Sequence, residues 1–225
     1  MRYFPSRQAA GQILAHKLAD KYPIEKCLVV CLSEGAVIVG IEIAKTLRCE
    51  VFLLVTQDVE LPGELDPIGA MSSSGVFTYN LGAYPAGELE SINADYHSII
   101  EQNRMNAFQK LNRINSKDGS SIPKSHLKNH NIILVSDGLR NGLSLDVAAD
   151  FLKPIKIKNL IIASPIAGVE VVDKMHLLAD KIFCLDVVGD YITTDHYYEN
   201  NIMPEHAVII SLMEKIRFEN QLEIE

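Results

Sequence analysis

The stretch that decides the fold is Asn131–Leu152, NIILVSDGLRNGLSLDVAADFL. It opens with the apolar run NIILV, which is typical of a buried strand. A polar loop with two glycines, Gly138 and Gly142, follows, and the pattern of a helix continues from Ser144 to the end of the stretch. A strand that leads through a short loop directly into a helix is the building unit of parallel α/β sheets, so we expect the loop at the carboxyl end of a strand in such a sheet.

The same order of strand and helix occurs on both sides of this stretch. The predicted strands are Cys27–Leu32, Val51–Val55, Asn131–Val135, Leu160–Ala163 and Ile182–Val187. The predicted helices are a first helix capped by Ser6, followed by Val37–Leu47, Ser144–Leu152, Val169–Ala179 and Pro204–Lys215. We therefore predict a doubly wound, mainly parallel five-stranded sheet with helices on both faces.

One long segment interrupts the α/β pattern. The first part of residues 57–129 is rich in glycine, proline and serine. The pattern of the whole segment predicts a hairpin within Ile68–Asn80, a polar helix over Glu88–Ile114 and a polar loop over Ser116–Asn129. We interpret this segment as a hood or lid inserted into one domain of residues 1–225, whose core comprises residues 1–56 and 130–225.

The composition excludes several classes of protein. The chain of 225 residues has 29 acidic and 21 basic residues, a net charge of −8, which argues against a broad basic surface for nucleic acid. No apolar run is long enough to span a membrane, and the N-terminal residues lack the apolar core of a signal peptide, so we expect a cytoplasmic protein without a membrane partner. The four cysteines predict reduced core residues better than a zinc site.

The loop after NIILV has the chemistry of a phosphate site. Its glycines allow the backbone to turn its N–H groups inward, and the helix that follows adds the positive end of its dipole. Asp137 at the end of the strand can accept hydrogen bonds from sugar hydroxyls, so the combination favours a phosphorylated sugar. The alternative is a plain strand–helix turn in which Asp137 and Ser144 act only as caps.

This loop carries a resemblance to a known family. ILVSDGLRNGLSLDVAADFL resembles the phosphoribosyl-pyrophosphate (PRPP) motif of the type I phosphoribosyltransferases. VVCLSEGAVIVGIEIAKTL resembles the family's first strand, pyrophosphate loop and next helix. GELDPIGAM and DVVGDYITTDHYYEN resemble a bacterial subgroup of predicted phosphoribosyltransferases, so the resemblance covers nearly the whole chain.

The resemblance implies a role for each matching residue. Asp137, beside Ser136, would hold the ribose hydroxyls and is the tentative catalytic residue. The 5′-phosphate would lie on the loop residues Gly138, Leu139, Arg140, Asn141, Gly142, Leu143 and Ser144, and the pyrophosphate loop would consist of Ser33, Glu34, Gly35 and Ala36. Mg²⁺ would accompany PRPP without a direct protein ligand, and a homodimer is one option because family members often pair.

The chain departs from the family pattern at two decisive positions. Ser136 replaces the first of two acids, and Glu34 places negative charge where the subgroup usually has an arginine. Two hypotheses follow: a phosphoribosyltransferase acting on an unknown base or nucleophile with pyrophosphate release, or an inactive relative that senses a nucleotide or phosphosugar or serves as an assembly partner. Tyr197 and Tyr198 are candidates for stacking on a base, with core packing as the alternative.

Overall fold

A computed structural model describes residues 3–21, 26–64, 66–118 and 122–222. The chain forms two compact units. The first comprises Met1–Leu53, Ile122–Asn141 and Ile155–Glu225, and the second comprises Leu54–Ser121 and Gly142–Pro154. The second unit thus contains most of the predicted insertion and, in addition, the segment after Asn141 that we had assigned to the core.

The strands and helices are numbered along the chain. The strands are β1 (Phe4–Ser6), β2 (Cys27–Cys31), β3 (Glu50–Leu53), β4 (Thr56–Val59), β5 (Gly69–Ser72), β6 (Phe77–Tyr79), β7 (Asn131–Val135), β8 (Asn159–Gly168), β9 (Lys181–Val188) and β10 (Tyr198–Asn200). The helices are α1 (Arg7–Lys21), α2 (Glu34–Leu47), α3 (Ala86–Asp118), α4 (Lys124–Leu127), α5 (Leu143–Leu152), α6 (Val169–Leu178) and α7 (His206–Leu222), with a short 3-10 helix at Thr194–Tyr197.

The first unit is built on a parallel five-stranded sheet in the order β3-β2-β7-β8-β9. All residues of β2 and β7 are buried, because helices cover both faces of a parallel sheet. Helices α1, α2 and α7 pack together on one face. Helix α2 connects β2 to β3, and α6 connects β8 to β9 in the opposite direction along the strand order. Because both crossovers are right-handed, α6 lies on the other face of the sheet. The predicted five-stranded doubly wound sheet is confirmed.

The strand order places a switch point between β2 and β7. The chain leaves β2 towards β3 on one side, whereas β7 begins the run of strands on the other side. The crevice outside the carboxyl ends of the strands at such a switch point is where ligands bind in open α/β sheets. The residues that follow β2 and β7 are therefore the first place to look for a site.

A second, two-stranded sheet pairs two strands that lie far apart in the sequence. Strand β1 pairs in parallel with β10, so that Phe4 lies opposite Tyr198. Ser6 caps α1 as predicted, since its hydroxyl accepts a hydrogen bond from the Ala9 N–H at 3.1 Å. Neither β1 nor β10 is among the strands that the sequence pattern predicts. The small sheet was missed because strands of three residues are stable only through tertiary contacts.

The second unit has an antiparallel sheet in the order β4-β5-β6. Strands β5 and β6 form the predicted hairpin, and β4 is an additional edge strand. The long helix α3 packs against β4 and β5, and it has a kink at Tyr96, where φ is −117° and ψ is 16°. Helix α5 packs on β5 and β6 through contacts of Leu143 and Val147 with Ala70.

Several boundaries differ from the prediction. Helix α2 begins three positions before Val37, because Ser33 serves as its N-cap. Strand β8 continues beyond Ala163 to Gly168 and pairs with β9 along the added residues. A short helix, α4, lies in the predicted polar loop.

The predicted last helix also shifts. Helix α7 begins at His206, so Pro204 precedes the helix instead of lying in its first turn. The four cysteines, all of which lie in the described ranges, carry thiols and form no disulfide, and Cys27, Cys31 and Cys49 are buried as predicted for core residues, whereas Cys184 is half-buried. Within the described ranges no helix is long and apolar enough to cross a membrane.

Candidate functional site

The switch point brings together the residues that follow β2 and β7. Ser33 lies after β2, and its hydroxyl donates a hydrogen bond to the Asp137 carboxylate, with 2.7 Å between Oγ and Oδ1. The same hydroxyl oxygen accepts a hydrogen bond from the Ala36 N–H at 2.9 Å. Ser33 therefore joins the first turn of α2 to the acid that the sequence predicts to hold ribose.

Arg7 is the main partner of this acid. Its Nε donates to Asp137 Oδ2 at 2.8 Å, and the two side chains are only 5% and 10% exposed. Sequence reasoning did not identify Arg7 as a site residue. One signal was available: Arg7 is the first residue of α1, where the helix dipole disfavours a cation, so an acidic partner is needed.

The other two nitrogen atoms of the Arg7 guanidinium differ in their hydrogen bonding. Nη2 donates to Asp195 Oδ1 at 2.5 Å, and the guanidinium lies over the Tyr198 ring, 4.6 Å from its centroid. Nη1 is buried and has no hydrogen-bond partner among the described residues. Burial alone would lower the pKa of Arg7, but the hydrogen bonds to Asp195 and Asp137 outweigh it and raise the pKa, so the group stays charged.

The segment after β9 covers the end of β7. The Tyr198 hydroxyl donates to the backbone oxygen of Asp137 at 2.5 Å. A methyl group at Gly138 would lie 2.1 Å from the Tyr191 hydroxyl, so a larger residue here would require the Tyr191 side chain to shift. Burial raises the pKa of Tyr191 to about 12, although a hydrogen bond with Thr194 opposes the shift.

The aromatic residues proposed for base stacking are part of this cover. Tyr197 is 0% exposed and Tyr198 is 3% exposed. Tyr197 packs with Ile166, Val188 and Tyr191. The burial of both rings favours the packing interpretation over stacking on a base, because neither ring offers an accessible face.

The start of the predicted phosphate loop already uses its own N–H groups. The Gly138 N–H donates to the Ser136 hydroxyl at 3.2 Å, and the Leu139 N–H donates to the Ile166 oxygen at 3.0 Å. The Ser136 hydroxyl in turn donates to the Gly138 backbone oxygen at 3.0 Å, so it stabilises the loop to which it belongs. The predicted phosphate contacts of Gly138 and Leu139 must therefore be revised.

The remainder of the loop leads into α5. Arg140 and Asn141 are exposed, and the chain passes from the first unit to the second after Asn141. Gly142 has a φ of 58°, in the left-handed region that favours glycine, and α5 begins at the next residue. Ser144 is half-buried in the first turn of this helix. A helix N-terminus of this kind is the element that binds phosphate in many proteins.

The predicted pyrophosphate loop is the first turn of a helix. Ser33 is the N-cap of α2, and Glu34, Gly35 and Ala36 are its first residues. The Glu34 carboxylate accepts a hydrogen bond from His206 Nδ1 at 2.6 Å. A methyl group at Gly35 would lie 2.1 Å from Asp137 Oδ2 and 2.8 Å from Arg7 Nε, so the ion pair packs directly on this turn.

The surroundings of Asp137 do not fit a magnesium ion held by the protein. Its two carboxylate oxygens face a guanidinium and a hydroxyl donor, which compete with a cation for the same lone pairs. Within the described residues no group of three or more potential ligands could hold a metal. Mg²⁺ would therefore bind at this site only as a complex with PRPP.

The chain is similar to proteins that are named as phosphoribosyl transferases. The chain is 22% identical over 216 residues to a Mycobacterium tuberculosis protein named "putative phosphoribosyl transferase", found in two strains. The alignment covers 96% of this chain and 47% of the relative, so the chain spans about half the length of the curated relatives it matches. No family model matches the chain. The relatives thus carry the family name that the sequence resemblance predicted.

Solved structures share the fold. TT1426 from Thermus thermophilus aligns with a TM-score of 0.75 and 24% identity, covering 96% of this chain and 99% of that protein. A purine phosphoribosyltransferase from Pyrococcus horikoshii aligns with a TM-score of 0.45 and 14% identity over 87% of this chain and 91% of that protein. The first similarity confirms the α/β fold, and the second is too low to add to it.

Proposed function

We propose that this chain is a phosphoribosyltransferase-like protein that binds a ribose 5-phosphate group, as in a nucleoside monophosphate, without transferring it. The observation that carries the proposal is the buried pair of Arg7 and Asp137 at the switch point of the sheet. The pair retains an acid where ribose hydroxyls would bind and places a cation beside it.

Asp137 keeps the capacity to accept further hydrogen bonds. A carboxylate offers about four acceptor positions. Arg7 Nε and the Ser33 hydroxyl take one each. The remaining positions would accept the hydroxyls of a ribose, which is the recognition that the sequence predicts for this acid.

The 5′-phosphate would bind at the beginning of α5. The amides of Gly138 and Leu139 have acceptors within the protein, so the proposed contacts are reduced to Arg140 through Ser144. The helix N-terminus, the exposed Arg140 and Asn141 and the Ser144 hydroxyl are suited to a dianionic phosphate.

Two features argue against transfer of the phosphoribosyl group. The ribosyl centre becomes positive in the transition state, and the Arg7 guanidinium would repel that charge and neutralise the acid that should stabilise it. In the turn that should receive pyrophosphate, Glu34 adds negative charge, and its only described polar partner is His206. Both features oppose the charges that the reaction develops.

Calorimetric titration tests the proposal. Ribose 5-phosphate and a nucleoside 5′-monophosphate are expected to bind, and Ser144→Ala is expected to weaken both because it removes a hydroxyl at the phosphate. Asp20→Asn, an exposed acid on α1, serves as a control that leaves the site unchanged. Failure of both compounds to bind at millimolar concentration would contradict the proposal.

A transferase is the second candidate, because the relatives carry that name. In that case PRPP would bind with Mg²⁺, and a base would displace pyrophosphate. Incubation with PRPP, Mg²⁺ and each common nucleobase, followed by an assay for released pyrophosphate, distinguishes the two. Pyrophosphate release above the rate without protein would establish the transferase and contradict the binding-only proposal.

A further inference from the structure

Two cysteines face each other at the amino-terminal edge of the five-stranded sheet. Cys27 is the first residue of β2, and Cys49 directly precedes β3. Leu28 lies opposite Glu50 in the parallel register, so Cys27 and Cys49 are the pair one step earlier along the two strands. The pair lies at the end of the sheet opposite to Ser33 and Asp137.

The backbone geometry at this position is compatible with a disulfide. Neighbouring strands lie about 4.8 Å apart. Disulfides join Cα atoms that are roughly 4.4 to 6.8 Å apart. Opposed residues on neighbouring parallel strands also point their side chains to the same face. The two sulfur atoms can therefore bond without a large movement of either strand.

The two thiols differ in their readiness to ionise. The hydrogen bond from Cys49 lowers the pKa of Cys27, whereas the same hydrogen bond together with burial raises the pKa of Cys49. Burial also raises the pKa of Cys31 and that of Cys184, the latter to about 11. Because the thiolate is the reactive form, Cys27 is better suited than the other three cysteines to act as a nucleophile.

We propose that Cys27 and Cys49 form a redox-sensitive dithiol that a peroxide converts to a disulfide. The Cys27 sulfur attacks one peroxide oxygen, the O–O bond breaks, and a sulfenic acid forms while the other oxygen leaves as water. The Cys49 sulfur then attacks the Cys27 sulfur, the S–O bond breaks, and a second water leaves. Two thiols lose two electrons and two protons, and hydrogen peroxide is reduced to two water molecules.

The low exposure of both residues is expected to make the pair selective for small oxidants over bulky thiol reagents. Cys27 is 5% exposed and Cys49 is 6% exposed. Hydrogen peroxide is close to water in size, whereas bulky thiol reagents require a larger opening. We expect the pair to react with peroxide under conditions in which a large maleimide does not label either residue.

Mass spectrometry of the whole chain after treatment with a small excess of hydrogen peroxide tests the proposal. The wild-type protein is expected to lose about 2 Da, to yield a Cys27–Cys49 cross-linked peptide, and to regain its mass with a dithiol reductant. Cys49→Ser is expected to gain about 16 Da at Cys27 instead, trapped by a sulfenic acid reagent. Cys184→Ser is the matched control, and it is expected to lose about 2 Da like the wild type.

The wild-type peptide map decides the question even where a variant fails to fold. A linkage between Cys27 and Cys49 that forms in the folded protein supports the dithiol. Oxygen added at Cys184 or Cys31 before any such linkage appears would overturn the proposal. No change in mass at peroxide concentrations that oxidise free cysteine would overturn it equally.

Discussion

Arg7 and Asp137 are 130 positions apart in the chain, yet Arg7 Nε lies 2.8 Å from Asp137 Oδ2 in a buried ion pair. The pair joins the beginning of α1 to the end of β7. It also packs on the first turn of α2 through Gly35. This ion pair thus connects the predicted ribose acid with the predicted pyrophosphate turn.

Arg7→Gln is expected to destabilise the protein by about 3 kcal/mol, because it leaves the buried Asp137 carboxylate without its cation. Lys45→Gln is the matched control, since Lys45 also pairs with an acid, Glu42, but is 49% exposed. An exposed pair contributes less than about 1 kcal/mol. Urea unfolding measures both changes, and equal small losses for the two variants would show that the Arg7 pair contributes little.

Gly138→Ala is expected to lower the melting temperature, because the added methyl group would lie 2.1 Å from the Tyr191 hydroxyl. Tyr191→Phe removes that hydroxyl, so the double variant should recover part of the loss. Gly87→Ala is the control, because a methyl group there meets nothing within 4 Å. A double variant as unstable as the sum of the two single variants would refute the contact between Gly138 and Tyr191.

The stability of the protein is expected to fall between about pH 10 and pH 12 in part through Tyr191. Its pKa is raised to about 12 in the folded protein by burial, whereas an unfolded tyrosine has a pKa of about 10. Between these values the folded state holds a proton that the unfolded state has lost, so the free energy of unfolding decreases as the pH rises.

Tyr191→Phe should therefore lose stability less steeply over this pH range than the wild type. Thermal melts at intervals of pH measure the slope for both proteins. Tyr96→Phe, which removes a tyrosine that is 44% exposed, controls for the change in residue type. Identical slopes for Tyr191→Phe and the wild type would contradict the shifted pKa.

Asp137→Asn is expected to weaken the binding of ribose 5-phosphate about tenfold, while inorganic phosphate is affected much less. In the proposed site the carboxylate would accept hydrogen bonds from ribose hydroxyls, whereas the phosphate would be held by the following residues. Titration calorimetry on folded samples compares the two ligands. An equal loss for both would mean that Asp137 only shapes the loop.

The strand–loop–helix pattern and the five core strands could be predicted because they are local. Apolar runs such as NIILV predict buried strands, and glycines predict the turns between strands and helices. The pairing of β1 with β10 could not be predicted, since each has three residues and derives its stability from the other end of the chain. The same holds for Arg7, whose partner is identified only when α1 and β7 are placed in space.

The sequence predicts which residues lie at the candidate site better than it predicts the hydrogen-bond partners of their polar atoms. Asp137 and Ser33 do lie together at the switch point, as parallel strands require. The amide of Leu139, however, was predicted for phosphate and instead donates to Ile166, because β8 is longer than its apolar run indicates. The burial of Tyr197 likewise follows from how the segment after β9 packs, which local sequence does not determine.

The most direct test of the central claim is a titration of the isotope-labelled protein with ribose 5-phosphate, followed by amide NMR shifts. The largest shifts are expected at Arg140 through Ser144 and at Asp137, and the Arg7 side-chain signal is expected to move as well. Amides at the far edge of the sheet, such as Cys49, should remain unchanged. Shifts confined to residues away from the end of β7, or no shifts at millimolar ligand, would contradict a ribose 5-phosphate site at this edge.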